Sequence, residues 1–71
     1  MNGWTNAETY YVGVAIINDE SVLAYAQSVA DDADFSGEMI ECLRLNMPDV
    51  YQDMSDDEWA AVDWEDIRGS L

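Results

Sequence analysis

The stretch Tyr10-Tyr11-Val12-Gly13-Val14-Ala15-Ile16-Ile17 decides the fold class. Its β-branched and aromatic residues suit a strand. A half-buried strand, however, alternates apolar and polar residues, and this run shows no such period of two. Just upstream, Thr5-Asn6-Ala7-Glu8 has the form of a capping box, with Thr5 at the cap and Glu8 three residues on. The segment therefore reads as a helix from about Asn6 to Ile17, with Ala7, Tyr10, Val14 and Ile17 on one face. Gly13 costs such a helix about 1 kcal/mol relative to alanine, or lets another helix come close.

Working outward, the rest of the chain is also helical. Asn18-Asp19-Glu20 ends the first element and caps a second, expected from about Glu20 to Asp32, with Val22, Leu23, Ala26, Val29, Ala30 and Ala33 as its apolar stripe. Ser36 is a good N-cap for a third helix, with Phe35 stapled onto Ile40. Its stripe is Met39, Ile40, Leu43 and Met47, with Cys42 nearby, and Pro48 is expected to stop it. Ser55 and Glu58 form the clearest capping box, opening a short helix over about Asp56 to Val62, with Met54 stapled to Trp59. Asp63-Trp64-Glu65-Asp66 caps a last short helix anchored by Ile67 and stopped at Gly69. The expected architecture is all-α: one domain over residues 1–71, a compact bundle of four to five short helices. Short connections favour antiparallel neighbours.

Length and charge limit what this domain does. At 71 residues a single core is marginal. One cysteine and no histidine exclude an internal disulfide and a Cys/His zinc site. Sixteen Asp and Glu face two arginines and no lysine, giving a formal net charge of −14. Solubility asks for a net charge of only about 2–8, and the surplus repels itself. Disorder does not explain it, because the chain is half apolar and carries three Trp and four Tyr. Salt adaptation is one alternative; a functional acidic surface is the other. The start, Met1-Asn2-Gly3-Trp4, has neither a basic region nor an apolar run, and Tyr10–Ile17 is too short to span a bilayer. A cytoplasmic location is expected, with Cys42 a reduced thiol in the core.

Most chemistry is disfavoured. General acid–base catalysis needs a carboxyl of raised pKa in an apolar pocket, and so small a bundle is expected to leave little room for one. No His, Lys or Cys–His pair is present to assist, so no enzyme activity and no cofactor are expected. Asp32-Ala33-Asp34-Phe35-Ser36-Gly37 matches the first half of an EF-hand loop, but position twelve falls on Leu43 where a bidentate Glu is required. Direct nucleic-acid binding is opposed by the charge.

The reverse is attractive. Carboxylates four apart on a helix lie roughly 6 Å from each other, close to the spacing of phosphates along a DNA strand. Three clusters offer such rows: Asp19/Glu20; Asp31/Asp32/Asp34; and Asp53/Asp56/Asp57/Glu58, continued by Asp63/Glu65/Asp66. The plainer reading makes these solvated faces and helix caps. Trp4, Trp59 and Trp64 read first as core, and one left partly exposed among acids would suit an arginine-rich partner.

Two stretches bear a likeness to known proteins. Asn2-Gly3-Trp4-Thr5-Asn6-Ala7-Glu8-Thr9 resembles the N-terminal NGWTN-x-ET signature of small acidic proteins carried by phages, prophages and other mobile elements. Val62-Asp63-Trp64-Glu65-Asp66-Ile67 resembles the V-[DN]-W-x-x-I ending of the same group. The two cover about a fifth of the chain, in the right order. The group carries Trp where Tyr10 stands here, and a longer tail after the isoleucine. The resemblance implies a mobile-element origin and a similar fold. In size, charge and helicity the chain also resembles phage inhibitors of host defence, several of which mimic DNA. The resulting expectation is an anti-CRISPR protein, monomer or homodimer, that occludes the DNA-binding or PAM-reading surface of an RNA-guided surveillance complex. Its contact acids would be Asp31, Asp32, Asp34, Asp53, Asp56, Asp57 and Glu58. The alternative is an acidic module bound to another host nucleic-acid enzyme, such as a restriction enzyme, polymerase or nuclease.

Overall fold

Four of the six helices begin where a short polar side chain accepts an N–H of the first turn, and a fifth begins at a proline, which has no N–H to satisfy. In the computed structural model, which describes residues 3–71, Asn6 accepts the Thr9 N–H at 2.8 Å and opens α1, Ala7–Ile17. Met1 and Asn2, which open the N-terminal signature, lie outside the described residues. Asp19 accepts from Val22 N–H and opens α2, Glu20–Ser28. Helix α3 is Phe35–Asn46, and α4 is Pro48–Gln52. Ser55 and Glu58 form the reciprocal capping box of α5, Asp56–Ala61. Asp63 accepts from Asp66 N–H and opens α6, Trp64–Gly69. The described residues are all-helical, with six helices rather than four or five and no strand.

Four local expectations change. Thr5 does not cap α1; Asn6 does, which frees the Thr5 hydroxyl for a distant partner. Helix α2 ends at Ser28 rather than near Asp32, and residues 29–34 form a turn. Asp34, not Ser36, holds the N-cap position of α3, though its side chain makes no capping hydrogen bond. Pro48 does not simply stop a helix: it is the first residue of the next one, where its missing N–H costs nothing.

The core is built from one face of every longer helix. Val12 and Ile16 of α1, Val22 and Ala26 of α2, and Phe35, Met39 and Leu43 of α3 are buried, with Trp59, Val62 and Ile67 behind them. Helix α1 is the hub, touching α2, α5 and α6, while α3 packs on α2 and α4. The Cα radius of gyration is 10.8 Å, matching the about 11 Å of a folded chain this long. The face of α1 is not the expected one. Thr9, Val12, Gly13 and Ile16 point inward, whereas Ala7, Tyr10 and Ile17 are exposed. An unbroken apolar run allows either register, and tertiary contacts decide between them.

Two of those contacts are specific. Gly3, at φ +83°, makes a turn that suits glycine and leads into Trp4. The Trp4 ring lies on the bare backbone of Gly13, so that a Cβ at position 13 would sit 2.5 Å from its Cη2. Gly13 therefore admits an aromatic ring where the sequence suggested a helix. The second contact is a clasp between the chain ends. Thr5 N–H donates to Asp66 Oδ2 at 2.8 Å, and its hydroxyl lies 2.8 Å from Asp63 Oδ2 and 3.0 Å from Asp66 Oδ2. Asn6 Nδ2 donates to the Ala61 carbonyl at 2.8 Å, and Asp63 N–H donates to the fully buried Thr9 Oγ1 at 2.8 Å.

Aromatic rings fill the space behind the clasp. Trp59 and Trp64 lie parallel with centroids 6.3 Å apart, Tyr51 tilts against Trp59, and Trp64 meets Phe35 edge-on. Arg68 covers the other end, 5.1 Å from the Phe35 centroid. Of the three tryptophans, Trp59 is buried in the core, and Trp4 and Trp64 are half-buried against it.

The Trp4–Gly13 contact predicts the sign of a substitution. Alanine at position 13 favours a free helix by about 1 kcal/mol, but here it meets the ring and should destabilise by about 1–3 kcal/mol. With Trp4→Ala already in place, Gly13→Ala should stabilise. Urea unfolding of the four variants measures both effects; stabilisation by Gly13→Ala alone would show that the ring does not lie there.

Candidate functional site

With a net charge of −14, the first question is where the two cations go. Arg44 is paired with Glu41 one turn earlier, through both Nε and Nη2, and lowers the Glu41 pKa. Arg68 lies over Phe35, donates to the Asp32 carbonyl at 3.3 Å, and stands 3.7 Å from Glu65. Among the described residues the remaining carboxylates have no cationic partner within 4.0 Å.

The first predicted group, Asp31, Asp32 and Asp34, is exposed on the turn between α2 and α3. These acids do not extend the C-terminal turn of a helix, as the sequence suggested, because α2 has already ended. Asp34 sits instead at the N-terminus of α3, where negative charge is favoured.

The second group, Asp53, Asp56, Asp57 and Glu58, runs from the end of α4 into the first turn of α5. Asp53, Asp56 and Asp57 are exposed, and Glu58 is half-buried by its capping role. Asp53 accepts the Tyr11 hydroxyl at 2.9 Å, and this bond to a negative acceptor raises the Tyr11 pKa. Asp53 and Glu58 border a groove of about 360 Å³ with Ala7, Glu8, Tyr11 and Met54. Glu8, half-buried in the first turn of α1, joins these acids, although its sequence position suggested only a capping role. Asp56 and Asp57 stand outside the groove. The continuation of the row fails at Asp63 and Asp66, whose oxygens are taken up by Thr5 and the start of α6.

A larger groove, about 500 Å³, separates α2 from α3. Asp34, Glu38 and Glu41 stand beside it, and Val22, Tyr25, Cys42 and Leu45 supply its apolar surface. So small a bundle does leave room for a concave site, contrary to expectation. Glu38 accepts the Tyr25 hydroxyl at 2.7 Å, which pushes the Tyr25 pKa up to about 12. Burial raises the Cys42 thiol pKa, keeping it a neutral thiol. Of this groove the sequence reading marked only Asp34 as a site residue. Leu45 and Tyr25 were the legible signals, since both are large apolar residues off the predicted stripes.

The broken EF-hand match falls on backbone that is already helical from Phe35 onward. Among the described residues no three His, Cys, Asp or Glu side chains lie close enough together to hold a metal ion, and no helix is long and apolar enough to cross a membrane. No protein-family model, curated protein or solved structure matches the chain.

The Asp63 carboxylate allows a test of the clasp by pH. The Thr5 hydroxyl, then the Asp66 N–H, hold its pKa below the ordinary value of 3.8. A depressed carboxyl contributes stability that is complete above its ordinary value and is lost as pH falls through the folded one. Asp63→Asn keeps a good N-cap but removes the charge. The wild type should exceed this variant in urea midpoint at neutral pH, with the gap narrowing below about pH 4. A gap independent of pH would mean that these bonds do not favour the ionised form.

Proposed function

We propose that this protein is a mobile-element inhibitor of host defence that works by binding, as an acidic mimic of DNA on the cationic surface of its target. An RNA-guided CRISPR surveillance complex is the favoured target, since such complexes hold DNA in positively charged channels and read the PAM with cationic side chains. The observation that carries this reading is electrostatic. None of Asp31, Asp32, Asp34, Asp53, Asp56, Asp57 and Glu58 has an ion-pair partner among the described residues, and all but Glu58 are exposed. They repel one another and are left available to a basic partner. The field of fourteen net charges would speed encounter and make it salt-sensitive. No catalytic residue and no cofactor are proposed. The site of action is the host cytoplasm.

The likeness of the two end segments to mobile-element proteins supports the origin but not the choice of target. The clasp shows why: Thr5, Asn6, Thr9, Asp63 and Asp66 of those segments spend their polar groups on each other. A second reading, an interaction module on another host nucleic-acid enzyme, is favoured by the apolar groove between α2 and α3, which charge mimicry alone does not require.

The test is a pull-down of the tagged chain from cells expressing a CRISPR surveillance complex, with and without saturating target DNA. Recovery abolished by DNA is expected. Recovery indifferent to DNA would place the contact off the DNA path, and no recovery would remove this class of target. Replacing Asp31, Asp32 and Asp34 together by lysine should weaken recovery by at least tenfold, at about 1 kcal/mol or less per exposed contact plus the new repulsion. Unchanged recovery would take that turn out of the interface.

A further inference from the structure

The reading of the chain as a binder of a basic partner leaves the α2–α3 groove without a role, and the inference that follows rests on that reading. Helix α3 carries two stripes. Phe35, Met39 and Leu43 face the core and are fully buried. Glu38, Glu41, Cys42 and Leu45 follow the same i, i+3, i+4, i+7 spacing and line the groove instead. Leu45 is 64% exposed, and Tyr25 presents its ring across from it on α2. A leucine left this open gains nothing for the fold.

The groove's chemistry narrows what can cover it. Its lining residues include three acids and no cation. Tyr25 orients Glu38, Arg44 orients Glu41, and the Asp34 side chain makes no capping hydrogen bond. A second copy of the same groove is a poor occupant, because pairing would set Asp34, Glu38 and Glu41 against their like-charged counterparts. An acidic or neutral segment would leave those charges desolvated without partners. The complementary occupant has an apolar stripe flanked by cations.

We propose that the α2–α3 groove seats a basic amphipathic helix of the partner protein. Its apolar side chains lie on the exposed Tyr25 and Leu45, with Val22 and Cys42 forming the groove floor beneath, and its Lys or Arg residues meet Asp34 and Glu38. This is helix-in-groove recognition, in which regularly spaced apolar anchors supply affinity and flanking charges set orientation. The groove gives the acidic surface a preferred docking point, because apolar contacts do not weaken with salt as exposed charges do.

Two short peptides of identical Leu/Lys composition test the proposal. One has its leucines at helical spacing and the other is scrambled. Each is titrated into the isotope-labelled protein near physiological salt and followed by amide NMR shifts. The ordered peptide should shift Val22, Tyr25, Cys42 and Leu45 and bind at least ~10-fold tighter than the scrambled one. Leu45→Glu then separates the causes. Charge alone predicts tighter binding of a cationic peptide by this variant, whereas the groove predicts a loss of ~10-fold or more. Leu45 is exposed, so the variant should fold, and its amide spectrum reports whether it does. Equal binding of both peptides, with shifts spread over the acidic turns, would overturn the groove and leave the basic-partner reading standing. So would binding that is unchanged or strengthened in Leu45→Glu. Failure of the basic-partner reading itself is read separately, as no recovery of any cationic complex by the tagged chain.

Discussion

Hydrogen bonds from neutral donors to the carboxylates of Asp63 and Asp66 hold this molecule closed. A chain with sixteen acids and two arginines cannot neutralise its surface with ion pairs. It uses amides and hydroxyls instead. Thr5 satisfies both aspartates from the other end of the chain, Asn6 reaches the Ala61 carbonyl, and the Asp63 N–H is buried against Thr9. Bonds of this kind to ionised acceptors are stronger than bonds between neutral groups. They also draw on no cation, so they leave the charge of the remaining surface intact. Strong acidity and a stable fold are compatible here because the acids that matter to folding are solvated by the protein itself.

The same clasp sets the register of α1. Thr9 turns inward because its hydroxyl is the acceptor for Asp63 N–H, and Val12, Gly13 and Ile16 follow it one turn at a time. Gly13 then faces Trp4, and the bare backbone becomes a seat for the ring. Behind it, Tyr51, Trp59, Trp64 and Phe35 pack against one another, with Arg68 over the last ring. One of the two cations thus covers an aromatic face while also standing 3.7 Å from the Glu65 carboxylate. Large aromatic residues bury much area per residue, which suits a domain of this size.

What could be read from the sequence followed the strength of local signals. The Ser55–Glu58 capping box, the Asp19 and Asp63 caps, and the buried stripes of α2 and α3 all depend on neighbours within one or two turns. Thr5 misled because it fits a capping box locally but is claimed by partners about sixty residues away. The face of α1 was illegible for the same reason: an unbroken apolar run has no polar side to exclude. Pro48 carries two meanings, as a stop for one helix and a start for the next, and only tertiary packing reveals the second. At the surface, the sequence identified which acids are numerous but not which are engaged. Asp63 and Asp66 differ from Asp56 and Asp57 by what lies across the fold, and the α2–α3 groove exists only once two helices are packed together.

The clasp also imposes an order on synthesis. Its bonds span 54 to 61 residues, so the Thr5 and Thr9 hydroxyls lack these partners until Asp63 and Asp66 have been translated and have left the ribosome. Contacts this distant in sequence close late, after the entropy of the intervening loop has been surrendered. Until then α1 is an apolar segment with an undecided face, on a nascent chain whose emerging helices carry mostly negative charge. That charge keeps separate nascent chains apart while the first helix waits for the last.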